Sequence, residues 1–151
     1  MLCENLYTLR KGRKLPQEQV AETAAEDLFR DVVSGQYYTQ GIAWAAEKGI
    51  VAGYGNGLFG PDDSITREQL AVMLYRYEQT RGGGFIGSWR SLLDFNGRAE
   101  VSEWAYEAMC WMTMHGVIEG KGDKTLDPKG NATRAEVAAV LMRYCEVIET
   151  S

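Results

Sequence analysis

The sequence predicts a mainly α fold built of repeated helix-loop-helix modules, and three observations carry that prediction. Sliding the 151-residue chain on itself by 67 aligns Tyr37–Tyr77 with Trp104–Tyr144, and 11 of the 41 pairs are identical. Apolar residues within each copy recur at i, i+3, i+4 and i+7, the period of a helix with one buried face. Glycine clusters and Thr-Arg phrases punctuate those stretches where helices end and begin. Helical hairpins of this size cannot each bury a full core, so the copies are expected to pack together, with an N-terminal helix as a third wall.

Residues 1–26 hold the first expected element. Leu6-Tyr7 resembles Leu74-Tyr75 and reads as the last helix of a truncated preceding copy. Gln17 to Leu28 is rich in Ala and Glu and reads as a solvent-facing helix or connector. The first full repeat occupies 27–79. Tyr38, Ile42, Ala45 and Ala46 share a helix face closed by Gly49, Ile50-Val51 forms a short extended piece, and Gly53 to Pro61 is a Gly-rich loop. Leu70, Met73, Leu74 and Tyr77 then mark the second helix.

Residues 80–91, with Gly82-Gly83-Gly84, read as a flexible joint, in which Gly82 to Trp89 forms an added loop. The second repeat occupies 92–148. Its first helix carries Trp104, Ala108, Trp111 and His115 and closes at Gly116; Val117-Ile118 and the loop Gly120 to Pro128 follow. Val137, Val140, Leu141, Tyr144 and Ile148 mark its last helix. Upstream, Phe29-Arg30-Asp31-Val32 is aligned with Leu92-Leu93-Asp94-Phe95, which puts four extra residues in the second copy, within Asn96 to Ser102.

Sixteen Lys and Arg against 21 Asp and Glu give a net charge of -5, which recommends no nucleic acid as partner. No apolar run approaches the length of a membrane span, and no signal peptide is recognisable. Cys3, Cys110 and Cys145 are odd in number and far apart, which argues against a disulfide framework, and Cys110 and Cys145 fall on apolar helix faces as small buried hydrophobes. With a single His115 there is no zinc pattern, so neither metal nor cofactor is expected.

The phrases Thr66-Arg67-Glu68-Gln69 and Thr133-Arg134-Ala135-Glu136 each carry a capping box, Thr followed three residues later by Gln or Glu. The cap does not need the arginine, and a cation at the first helical position is disfavoured by roughly 0.3–1 kcal/mol through the helix dipole. An arginine kept twice at that position, beside open helix amides, points to an anion-binding corner; the plainer reading is an arginine that is solvated or paired with a carboxylate. Gly55 to Gly60 matches Gly-x-Gly-x-x-Gly, but the helix begins some six residues later and the second copy keeps only Gly122, so it is not a dinucleotide site. Asp123 to Asn131 lacks the alternating ligands of a calcium loop. No nucleophile has an evident base, and the chain is expected not to be an enzyme.

Phe29 to Val32, Trp44-Ala45, Gly49 to Pro61 and Ile65 to Glu68, followed by a leucine-rich helix, resemble the S-layer homology module, and residues from about 27 to 148 share the likeness. The resemblance implies an incomplete pseudo-threefold helical bundle and an extracellular, wall-associated anchor, part of a longer exported protein. It implies noncovalent binding of an anionic secondary cell-wall polysaccharide, one bearing pyruvate ketals among them. Arg67 and Arg134 match the family's ligand arginine, and Gly53 and Gly120 its loop glycine. Tyr54 and Asn56 in one loop, and Lys121 and Asp123 in the other, stand as polar or stacking partners, with Lys121 in place of the usual Tyr. Trp44 and Trp111 are expected in the core rather than against sugar.

Only two complete Thr-Arg phrases occur, whereas the family usually has three repeats. The alternative reading is therefore an interaction module that forms a homodimer to complete the missing repeat, with degenerate glycan binding.

Overall fold

The computed structural model describes residues 24–87 and 92–149. The expectations for Glu4–Leu15, Cys3 and Trp89, and most of Gln17–Leu28, fall outside those residues. The described chain is mainly helical: α1 (Ala25–Leu28), α2 (Thr39–Glu47), α3 (Arg67–Thr80), α4 (Tyr106–Met114) and α5 (Arg134–Glu149), with 3₁₀ turns at Arg98–Glu100 and Glu103–Ala105. Among the described residues the only strand-like pairings are isolated bridges, Thr66 with Asn131 and Asn96 with Thr125. The chain forms two compact units that divide between Asp63 and Ser64. The helix that ends the first sequence repeat, α3, thus packs in the same unit as the second repeat.

In the first unit, Phe29, Val32, Ile42 and Ala43 are buried together with Ala25, and Tyr38, Ala46 and Phe59 pack against them. Phe29 and Phe59 meet at 5.3 Å between ring centroids. Helix α2 ends as its glycine predicts. Gly49 has φ 70°, its N–H donates to Ala46 O, and the Ile50 N–H reaches Ala45 O at 2.8 Å. This pattern is a Schellman cap, with the apolar residue after the glycine buried beneath the helix end. Ile50 and Val51 are held by this cap rather than by any strand.

The second unit repeats the device 67 residues later. Gly116 has φ 69°, and the Val117 N–H donates to Met112 O at 2.8 Å. Helix α4 starts at Tyr106, later than its apolar spacing suggested, because Glu103–Ala105 forms a 3₁₀ turn that leaves Trp104 exposed. Trp111 is buried, as expected, between Tyr75 at 6.0 Å and Tyr144 at 6.5 Å, while Trp44 is half-buried. His115 stacks on Trp111 at 4.1 Å and its Nδ1 lies 2.8 Å from Trp111 O. The repeat-equivalent Tyr77 and Tyr144 meet edge-on at 6.2 Å, and the Tyr144 hydroxyl donates to Glu78 at 2.6 Å. Burial, then this carboxylate, pushes the Tyr144 phenol far above its usual range.

Two expectations need correction. Cys110 is free and buried, but Cys145 is only partly buried and disulfide-bonded. An odd, widely spaced set of cysteines says nothing about which are neighbours in space. The alignment of Phe29–Val32 with Leu92–Phe95 is also out of register. Arg30 N–H donates to Gly57 O, and Asn96 N–H to Lys124 O. The side chains of Arg30 and Asn96 likewise reach Asn56 O and Asp123 O. Phe95-Asn96 is therefore the counterpart of Phe29-Arg30, and the second copy carries one extra residue before Trp104 rather than four. The aromatic ring that fills the space beside the loop glycine sets the register; the shared Asp misled it.

That ring explains the glycine. A Cβ on Gly53, at φ 61°, would overlap Leu58 O and come within 2.7 Å of the Phe29 ring, whereas a Cβ on Gly49 would meet open space. Gly53→Ala is expected to destabilise by about 2 kcal/mol or more, combining left-handed strain with overpacking, and Gly49→Ala by only about 1 kcal/mol. Thermal unfolding of the two variants checks the difference.

Candidate functional site

The two Gly-rich loops share one internal scaffold. Tyr54 N–H donates to Leu58 O, and Lys121 N–H to Thr125 O. Asn56 Oδ1 accepts from Leu58 N–H and Asp123 Oδ1 from Thr125 N–H, each at 3.1 Å. Asn56 and Asp123, picked as ligand partners, thus serve first as turn-forming side chains that bond the backbone two residues on. Hydrogen bonds from Thr125 hold the Asp123 carboxyl below its usual range. Asp31 gathers the first loop, accepting from Phe59 N–H at 2.8 Å and Gly60 N–H at 2.7 Å, and those amides keep its carboxyl ionised below the usual range. The second loop has Gly97 near that place and ties itself through Leu126 N–H to Asn96 O instead.

Both Thr-Arg phrases form their capping boxes. Thr66 accepts from Gln69 N–H and Gln69 Oε1 accepts from Thr66 N–H; Thr133 and Glu136 exchange the same pair of bonds. Beyond the caps, the two arginines part company.

Arg67 is 7 % exposed. Its Nε donates to Leu126 O at 2.9 Å, and one terminal nitrogen pairs with Glu136 at 3.0 Å. The expected open amides beside it are taken: Arg67 N–H by Gly130 O and Glu68 N–H by Pro128 O, each at 3.0 Å. Glu68, which sequence reasoning missed, is buried at 2 % exposure and accepts from Ser102 N–H, Ser102 Oγ and Lys129 Nζ. The start of α3 is therefore a clasp that grips loop 126–130 and the start of α5. The anion at Arg67 is the protein's own Glu136, so the carboxylate-paired reading describes this copy.

Arg134 is exposed, and among the described residues its guanidinium has no hydrogen-bond or ion-pair partner. The Arg134 and Ala135 N–H groups have no acceptor among those residues either. Among the described residues, an arginine beside uncommitted helix-start N–H groups occurs at Arg134 and not at Arg67.

Around the clasp the structure gathers Arg67, Gly120, Lys121 and two carboxylates, Asp127, not singled out from sequence, and Glu136, which the sequence marks only as a helix cap. Lys121 pairs with Asp127. Lys121, with Arg67 nearby, draws the Asp127 carboxyl below its usual range; Thr133 hydrogen bonds, then Arg67, do the same for Glu136. Gly120, at φ 79°, has Thr125 O 3.1 Å and the Phe95 ring 3.3 Å from where a Cβ would stand, a tight fit rather than an overlap. The signal for Glu136 was present in the capping box, but nothing local showed that its second oxygen would reach back to Arg67.

These shifts fix a pH dependence. Groups with depressed folded pKa contribute stability that is complete above the ordinary carboxylate range and is lost as pH falls through the lower folded values. Unfolding midpoints are expected to stay level from neutrality down to that range, where Asp31, Asp127 and Glu136 of the unfolded chain begin to take up protons while the folded protein keeps them ionised, and to fall below it. Denaturant melts across acidic pH check this.

No helix among the described residues is long and apolar enough to cross a membrane. The S-layer homology domain profile matches residues 28–71 and 99–138. The chain is 33 % identical over 125 residues to an amylopullulanase of Thermoanaerobacterium thermosulfurigenes, covering 78 % of this chain and 6 % of that protein. It is 33 % identical over 130 residues to exoglucanase XynX of Acetivibrio thermocellus, covering 84 % and 12 %. To the surface-layer 125 kDa protein of Lysinibacillus sphaericus it is 29 % identical over 126 residues, covering 82 % and 10 %. The matched region is thus a small part of each relative. No solved structure matches. With both repeats matched and the caps, loops and helices in place, the chain belongs to the S-layer homology domain family.

Proposed function

We propose that this module holds an anionic secondary cell-wall polysaccharide, pyruvylated polymers included, and that the Arg134 corner is where its acidic group binds. Family membership makes the chain an extracellular, cell-surface anchoring module. It is a side region in the enzymes among its relatives, so the role proposed is attachment rather than catalysis. The observation that carries the assignment is the exposed Arg134 guanidinium beside two uncommitted helix N–H groups. A carboxylate placed there gains charge-assisted hydrogen bonds from the guanidinium and from the helix start together.

Arg67 serves the same function indirectly. It keeps loop 120–130 folded, so that Lys121 is presented at a fixed place. In the other loop Tyr54 is half exposed and offers an aromatic face and a hydroxyl. Sedimentation with Gram-positive sacculi tests the proposal: the protein should pellet with sacculi that retain their secondary polymer and stay in solution with sacculi stripped of it. Equal pelleting with both would refute polymer binding.

A further inference from the structure

Each Gly-rich loop holds one carboxylate in the same place, yet supplies it from a different position. In the first loop Asp63 Oδ2 accepts from the Tyr54 hydroxyl at 2.8 Å. A Cβ on Gly60 would overlap that carboxylate and lie 2.7 Å from the Tyr54 ring. In the second loop Asp127 accepts from Lys121 Nζ, and a Cβ on Gly130 would overlap the Asp127 carboxylate. At the period of 67, Tyr54 corresponds to Lys121, Gly60 to Asp127 and Asp63 to Gly130. The pair is therefore Gly-Asp in one loop and Asp-Gly in the other, and in each loop the carboxylate occupies the slot where a side chain at the paired glycine would begin.

The backbone agrees with this exchange. Gly60 has φ 74° and Asp127 φ 46°, so both stand in the left-handed region, which Asp tolerates better than most residues. Gly130 is not at positive φ, so its backbone does not bar an Asp there; the nearest obstacle to its Cβ is the Asp127 carboxylate.

We infer that this slot is a positioning site, in which the carboxylate aims residue 54 or residue 121 as its loop's ligand-facing arm, and that the arm's identity gives the two loops different preferences. Tyr54 suits the C–H face and hydroxyls of an uncharged sugar unit, and Lys121 suits an acidic substituent. The functional part of this inference rests on the wall-polymer reading above; the slot itself does not.

A swap in the second loop of the full chain tests both parts, using thermal midpoints and retention on polymer-bearing sacculi. Gly130→Asp alone crowds two carboxylates into one slot and should lower the midpoint. Asp127→Gly alone should leave the fold intact but weaken retention about three- to tenfold, the ordering cost of a long side chain no longer held in place. Asp127→Gly combined with Gly130→Asp moves the carboxylate to the first-loop arrangement and should recover both. Additive effects on the midpoint would overturn the shared slot. Wild-type retention by Asp127→Gly, with retention still lowered by Arg134→Ala, would overturn the positioning role alone. Retention unchanged by both variants would overturn that role and the polymer reading together, while the midpoints still report on the slot.

Discussion

Arg67→Ala is expected to lower stability by about 2–3 kcal/mol, reduced from the full penalty for breaking a buried ion pair because Glu136 is partly exposed. The side chain is 8 % exposed and its partner Glu136 30 %, so the variant strands a half-buried carboxylate and removes the donor to Leu126 O. Glu136→Gln separates the terms. Gln already fills the same capping position as Gln69 in the other copy, so the α5 cap survives while the ion pair is lost, and a penalty nearer about 1 kcal/mol is expected. Denaturant unfolding of the two variants measures the difference. Equal stability of Arg67→Ala and wild type would remove the clasp from the account.

Arg134→Ala should do the reverse. No side-chain hydrogen bond or ion pair among the described residues is lost, and removing a cation from the positive end of a helix is neutral or stabilising by up to about 0.5 kcal/mol. Retention on polymer-bearing sacculi should fall about 10- to 100-fold, the worth of a hydrogen bond to a charged group. Sedimentation isotherms read this directly, and Arg67→Ala, measured well below its own midpoint, should change retention less.

The caps and the period of the fold were legible in the sequence because they depend on neighbours in the chain. Thr66 and Thr133, Gly49 and Gly116, and the apolar spacing of α3 each state a local conformation, and each is found. The alignment near Phe29 failed because the deciding contact joins Phe95 to Gly120, 25 residues apart, whereas the misleading Asp94 lies beside it. The inequality of the two arginines was hidden for the same reason. Both sit in the same phrase, and what separates them is whether a loop some sixty residues away delivers carbonyls to the helix start. Pro128 and Gly130 do so at Arg67. Glu68 shows the limit most plainly: as the second residue of a helix it reads as a favourable first-turn acid, and only the arrival of Ser102 and Lys129 makes it a buried node.

The central claim is that two arginines in one repeated phrase have different jobs, one closed within the fold and one open to ligand. Amide hydrogen exchange at the two helix starts tests it most directly. In the free protein the Arg67 and Glu68 N–H groups should be protected and the Arg134 and Ala135 N–H groups should exchange close to the unprotected rate. Adding soluble secondary polymer released from the wall should protect the second pair and leave the first unchanged. Protection of Arg134 and Ala135 without polymer, or no response to it, would contradict the account.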